Sequence, residues 1–236
     1  LKFLPPEANR LWPRKNSSKD ISMTPQLQSS KAKEIAALAP IIPVLVVEDP
    51  AKAAALAQAL VAGGLPALEV TLRTDAALDV IREMASVEGG VVGAGTLLTP
   101  DDVAAAKEAG AVFGVAPGAT DKLLDAAEEI GLPMLPGAAT ASEVMRLFER
   151  GFDMLKFFPA EASGGASALK AIGAPIPQVS FCPTGGITSQ NAETYLGLSN
   201  VICCGGSWVA PKALVDAGDW AGITELARAA AALPRG

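Results

Sequence analysis

The sequence predicts an α/β protein, a (β/α)8 TIM barrel of eight parallel strands each followed by a helix, with an N-terminal helix in front. Three observations predict it. From about Ser30 onward one unit recurs eight times: a short β-branched apolar run, a Gly, Pro or Thr turn, then an alanine-rich helical stretch. Such alternation requires a parallel sheet, because a helix of this length is what returns the chain to begin a neighbouring parallel strand. Finally, no complete dinucleotide fingerprint follows the first strand, as an open nucleotide-binding sheet would require, and "GAGT" at Gly93 to Thr96 lacks the third glycine. The count of eight then favours closure over an open sheet.

In chain order, residues 1–22 come first, "LKFLPPEANRLWPRKNSSKDIS", with five basic residues, two acidic residues, three prolines and no lasting periodicity. They read as a polar segment appended to the fold, with no apolar centre for a secretory signal and with prolines that interrupt any amphipathic transit helix. Met23 is expected to be the natural start, and 23–236 a single barrel catalytic domain. The strands are expected at Ile41–Val47, Ala67–Leu72, Val91–Thr96, Val112–Ala116, Pro133–Leu135, Met154–Phe158, Gln178–Cys182 and Val201–Cys204. Helix starts carry chemical marks: Thr99-Pro100-Asp101-Asp102 sets a capping hydroxyl before a proline, and Thr140 to Glu143 matches a capping box. Gly63-Gly64, Gly110, Gly131, Gly151 and Gly197 stand where helices should end in the left-handed conformation.

Half of the 236 residues are hydrophobic and 19% are charged, a composition able to bury one substantial core. Gly, Pro or a charge breaks every apolar run before the roughly 20 residues needed to cross a bilayer. The net charge of −6 argues against nucleic-acid and anionic-membrane partners; residues 1–22 carry +3 of it, leaving −9 on the remainder. Cys182, Cys203 and Cys204 cannot all pair within one chain, and two are adjacent, which suits a reducing cytoplasm and small core residues. The decisive count is histidine, which is zero. A Ser-His-Asp triad, a His-ligated zinc and an imidazole acid/base are thereby excluded.

One lysine stands inside an apolar strand, in "DMLKFFPAE", Asp153 to Glu161. Alternate strand residues share a face, so Met154, Lys156 and Phe158 point inward while Leu155 and Phe157 meet the helices. The same rule turns Glu69, Thr71 and Arg73 inward from "LEVTLR", and the second and sixth strands face each other across an eight-stranded barrel. Glu69 and Lys156 therefore flank one cavity, either as a buried ion pair or as a catalytic pair. A lysine of ordinary pKa near 10.4 is only about 0.04% neutral at pH 7, so a nucleophilic role needs desolvation or a neighbouring cation such as Arg73. Arg73 can itself pair with Glu69. Two glycine pairs, in "CPTGGIT" and "CCGGSW", fall after the last two strands, where a barrel commonly holds phosphate on bare backbone amides.

With "ALEVTLRT", "GAGT", "APGAT", "LKFFPAE", "CPTGGI" and "GGSW" in this order, the chain resembles the 2-keto-3-deoxy-6-phosphogluconate (KDPG) aldolase family from about Leu38 to Ala230. The resemblance implies a class I, Schiff-base aldolase on a (β/α)8 barrel, a lyase of the Entner-Doudoroff pathway that uses neither cofactor nor metal. It implies Lys156 as the imine-forming lysine and Glu69 as the general acid/base. Arg73 and Thr96 would lie near the carboxylate and keto end of the substrate, and Pro117 and Phe158 would line the pocket. Gly185, Gly186, Gly206 and Ser207 would receive the phosphate. The implied partner is a small phosphorylated keto acid, with 4-hydroxy-2-oxoglutarate as a further substrate, and the implied assembly is a cytoplasmic homotrimer. The rivals are a pyridoxal-phosphate-binding barrel, with the lysine holding the cofactor aldehyde, and a non-catalytic sugar-phosphate binding module.

Overall fold

Strand and helix alternate along the chain as the repeating pattern requires. The computed structural model describes residues 22–236, so the expectations for residues 1–21 lie outside the described residues. Helix α1 (Pro25–Ala36) precedes β1 (Ile41–Leu45), α2 (Ala53–Ala62), β2 (Ala67–Thr71), α3 (Ala77–Ala85), β3 (Val91–Gly95), α4 (Pro100–Ala109), β4 (Phe113–Val115) and α5 (Asp121–Ile130). There follow β5 (Met134–Leu135), β6 (Gly137–Ala138), α6 (Ala141–Arg150), β7 (Met154–Phe157), α7 (Gly165–Gly173), β8 (Ser180–Pro183), α8 (Ala192–Leu196), β9 (Cys204–Gly206), α9 (Lys212–Ala217) and α10 (Trp220–Ala231). Thr99 and Thr140 form reciprocal capping boxes with Asp102 and Glu143, each cap contributing about 1 kcal/mol. Gly110, Gly131 and Gly151 end their helices left-handed as expected. Gly197 does not, closing α8 in the right-handed region, and of the pair at the end of α2 only Gly64 has positive φ.

The strands pair in parallel throughout, in the order β5-β4-β3-β2-β1-β9 and, in a second sheet, β6-β7-β8. The protein is an α/β fold with a curled parallel sheet, and among the described residues its hydrogen bonds do not form one continuous eight-stranded ladder. The fifth strand runs on past the expected end at Leu135 and is divided there by Pro136, which lacks an N–H and whose carbonyl turns to accept from the Lys156 amide, 2.9 Å, on the far side. At the other junction β8 and β9 meet only through the bridges Phe181 to Val201 and Thr184 to Gly205. The last two strands also begin later than expected. Gly205 and Gly206 belong to β9, paired with Ile42 and Pro43, rather than to the loop after it. Gly205 permits this, since a Cβ there would lie 2.3 Å from the Thr184 hydroxyl on the neighbouring strand.

Two apolar clusters confirm the alternation of faces. Ile41, Leu68, Val70, Met134, Leu155, Phe157 and Phe181 pack outward with the helices. Ile42, Ala67, Phe113, Val115, Leu135, Met154, Cys182 and Cys203 form the inner cluster, together with Ala32, Ile35 and Ala36 of α1. Helix α1 thus covers the N-terminal ends of the strands. Its two buried polar side chains are tied to those ends: Gln28 accepts from the Met134 amide, 3.1 Å, and Ser29 accepts from the amides of Asp153 and Met154, 2.9 and 2.8 Å.

Asp153 completes this joint, accepting from Ser29 at 2.7 Å and from Lys33 at 2.6 Å. Partial burial pushes its carboxyl upward, but the hydrogen bonds from Lys33 and Ser29 outweigh this and hold it below the usual carboxylate range. A carboxyl lowered on folding stabilises the protein above its unfolded pKa, about 3.9, and that contribution disappears as pH falls through the lower, folded value. Asp153→Asn is therefore expected to lower the urea midpoint at pH 7 and to converge with the parent protein as pH falls through the lowered, folded pKa of the carboxyl. Parallel curves at every pH would contradict it.

Candidate active site

Lys156 and Glu69 meet at the centre of the inner face. Lys156 lies on β7 between the inward Met154 and Phe158, and Glu69 on β2 in register with Val44 and Gly93. Their side chains are 3.3 Å apart, Nζ to Oε1, and only 5% and 3% of the two residues is exposed, so this is a desolvated charge pair. The Lys156 ammonium also stands 5.1 Å from the centroid of the Phe158 ring, within cation–π range.

Glycines make the space. A Cβ at Gly95 would fall 2.2 Å from Glu69 Oε1, so the carboxylate occupies room that any larger residue would take. Gly95→Ala is expected to displace the carboxylate; with Glu69 in the catalytic role that the sequence implies, turnover should fall by about 10- to 100-fold, the cost of a roughly 1 Å misplacement. The fold should lose no more than the roughly 1–3 kcal/mol of an overpacked core, measured by urea denaturation beside a steady-state assay. Unchanged turnover would show that Glu69 tolerates displacement.

The remaining predicted residues gather at the C-terminal ends of the strands, opposite α1. Arg73 follows β2 and is exposed; its Nε donates to Thr71 Oγ1 at 3.2 Å, and the Thr71 hydroxyl in turn donates to the Leu45 carbonyl at 2.9 Å. Glu69 takes Lys156 as its partner instead, so the alternative of an Arg73–Glu69 pair is not realised among the described residues. Thr96, directly after β3, is the single described non-glycine residue with positive φ, +63°. A β-branched residue in that region costs on the order of 1–3 kcal/mol and marks a held conformation. Pro117 follows β4 and abuts β6, where a Cβ at Gly137 would lie 2.2 Å from its carbonyl.

Gly185 and Gly186 turn left-handed in succession after β8, with φ of 100° and 79°. Among the described residues no hydrogen bond engages their amides, nor that of Ser207. Gly206 differs from the expectation, lying within β9 with the Trp208 ring against it; a Cβ there would meet that ring at 1.8 Å. Helix N-termini do not stand directly behind these turns, because α8 and α9 begin several residues later and are short. What these turns offer is the backbone itself, two successive left-handed glycines with unbonded amides. The bridge from Thr184 to Gly205 sets the two turns side by side.

Thr184, 6% exposed, is a buried polar residue of this face that the sequence reading does not single out. Parity would have found it: Cys182 pairs with Lys156 and faces inward, so Thr184 does as well. Cys182, Cys203 and Cys204 are buried and unpaired. Hydrogen bonding from Cys182 and burial push the Cys203 thiol well up, and burial does the same for Cys204, leaving both as inert packing.

A buried amine beside a carboxylate, below unbonded amides, can form and protonate an adduct on a carbonyl while an anion is held nearby. Comparisons with known proteins agree with that chemistry. A family model described as KDPG and KHG aldolase matches residues 32–226. The 2-dehydro-3-deoxy-phosphogluconate aldolase of Pseudoalteromonas atlantica is 50% identical over 85% of this chain and 94% of its own. The 2-keto-3-deoxy-6-phosphogluconate aldolase of Zymomonas mobilis ZM4, crystallised with 3-phosphoglycerate, superposes with a TM-score of 0.84 at 48% identity, over 88% of this chain and 98% of that one. The KDPG aldolase of Legionella pneumophila, with pyruvate captured as a covalent carbinolamine, superposes with a TM-score of 0.82 at 44% identity, over 85% and 98%. The chain belongs to the KDPG and KHG aldolase family.

Proposed function

We propose that this protein is a class I aldolase that cleaves 2-keto-3-deoxy-6-phosphogluconate to pyruvate and glyceraldehyde 3-phosphate through a Schiff base on Lys156. The observation that carries the proposal is the desolvated Lys156–Glu69 pair on the inner face, 3.3 Å apart, in a chain of this family. Glu69 takes a proton from the Lys156 ammonium, and the neutral amine attacks the C2 ketone. The carboxylic acid returns that proton to the oxygen as the carbinolamine forms; Glu69 then takes a second proton from the carbinolamine nitrogen and gives it to the hydroxyl, which leaves as water to give the iminium. The iminium accepts the electron pair of the C3–C4 bond once the C4 hydroxyl is deprotonated, by Glu69 directly or through a water. Glyceraldehyde 3-phosphate leaves; the enamine is protonated at C3, and water hydrolyses the iminium to pyruvate and free Lys156. The pyruvate captured as a carbinolamine in the Legionella relative supports the first step.

Substrate binding falls to the residues around this pair. Arg73, steadied by Thr71, would grip the carboxylate with its planar fork, and Thr96 would hold the keto-acid end. Pro117 and Phe158 would line the pocket. Gly185, Gly186, Gly206 and Ser207 would receive the phosphate. Residues 23–236 would form one catalytic domain in which the divided fifth strand and the β8–β9 bridges close the parallel sheet into a (β/α)8 barrel. Three buried free thiols suit the cytoplasm, and the homotrimer is carried over from the family resemblance.

The test is a comparison of cleavage of KDPG, of its unphosphorylated counterpart 2-keto-3-deoxygluconate, and of 4-hydroxy-2-oxoglutarate. KDPG is expected to be favoured in kcat/KM by on the order of 10²-fold or more, because anchoring both ends of a substrate converts encounter into positioning. Binding of all three without turnover would leave the sugar-phosphate module as the function.

A further inference from the structure

The glycine turn after β8 has an acidic neighbour whose side chain is held in place by a residue the mechanism does not use. Glu161 follows β7. Its amide donates to the Gly185 carbonyl at 3.1 Å, and the preceding Ala160 amide donates to the Thr184 carbonyl at 2.8 Å, so the loops after β7 and β8 are joined. The Glu161 side chain lies on Gly186 itself: a Cβ built there would meet its Cγ at 2.6 Å and its Cβ at 2.7 Å. The stem of an acidic side chain thus packs on the turn whose two unbonded amides are proposed to take a phosphate dianion. Left free, its carboxylate could swing toward those amides, accept from them itself and repel the dianion.

The Glu161 carboxylate is instead engaged by Tyr195, whose phenol donates to Oε1 from α8. The Tyr195 ring is 1% exposed and packed in the outer core, which fixes where the hydroxyl points. Burial first, and then Glu161, raise the phenol further above its ordinary range, so it is a permanent donor at physiological pH. Gly165, near both groups, leaves the room they share, its built Cβ lying 3.5 Å from the Tyr195 oxygen and 3.6 Å from Glu161 Oε1.

We infer that Tyr195 is a positioning residue for substrate specificity: by holding the Glu161 carboxylate to one side, it keeps the amides of Gly185 and Gly186 open to a phosphorylated substrate. The inference rests on the proposed phosphate site. Tyr195→Phe keeps the ring and removes the one hydroxyl. It is expected to raise KM for KDPG by about tenfold, while kcat for KDPG and both constants for 2-keto-3-deoxygluconate stay within about twofold. Adding Glu161→Gln to Tyr195→Phe removes the released charge and is expected to return KM for KDPG to within about twofold of the parent value. Equal changes on both substrates in Tyr195→Phe, or no recovery in the double variant, would overturn the inference and assign the hydrogen bond to packing alone. A parent enzyme with no preference for KDPG over 2-keto-3-deoxygluconate would instead overturn the phosphate site beneath it.

Discussion

Lys156→Arg is expected to reduce cleavage by on the order of 10⁴-fold or more, since removing a covalent nucleophile leaves only what binding and the other groups contribute. The substitution is chosen for what it keeps. A guanidinium at this position can still face Glu69, and so it avoids the roughly 3–5 kcal/mol that an unpaired buried carboxylate would cost. It cannot form an imine. Borohydride added with pyruvate should therefore tag the parent protein irreversibly on the peptide carrying Lys156 and leave the variant unmodified, with thermal unfolding reporting that both are folded. A tag elsewhere in the parent protein, or turnover retained in the variant, would remove Lys156 from the mechanism. The second outcome would leave the buried pair as filling for the inner face.

Why this lysine could be found without coordinates is a matter of periodicity. In a strand each side chain's face is fixed by its parity, so an inward Lys156 opposed to an inward Glu69 follows from where "LKFF" and "LEVT" sit, and the two core clusters divide along that alternation. Boundaries were less legible where backbone chemistry overrides the apolar pattern. Pro133 to Leu135 reads as an ordinary strand, yet Pro136, one residue on, hands the strand from one sheet to the other because it has no N–H to give. Gly205 and Gly206 read as a loop on composition. They pair as strand with Ile42 and Pro43, and they are glycine because Thr184 and Trp208 fill the volume a side chain would need, a requirement invisible in local composition. The same holds for Gly95, whose purpose becomes visible only with the Glu69 carboxylate against it. The positive φ of Thr96 and the contact of Tyr195 with Glu161, 34 residues apart, leave no local trace in the sequence.

Glu69→Gln separates proton transfer from imine formation and from stability. The amide matches the carboxylate in shape and fits the space beside Gly95, but it neither takes the proton from Lys156 nor returns it to the departing oxygen. Removing a general acid/base typically costs about 10²–10⁴-fold, equivalent to about 3–5 kcal/mol in the barrier. The loss should fall on kcat, because the substrate contacts proposed for Arg73 and the glycine turn are left untouched. Borohydride should still trap pyruvate on Lys156 given longer exposure, since a neutral amine attacks without Glu69 once it has lost its proton to water. The pH profile of kcat should also lose the limb that belongs to the carboxyl group. A purely structural ion pair behaves differently: breaking it lowers stability by several kcal/mol while the folded fraction turns over at the parent rate with the parent pH profile. Measuring kcat well below the unfolding midpoint distinguishes the two, and a parent-like kcat there would leave Glu69 as a partner for the lysine's charge and assign the proton transfers to another group on the inner face.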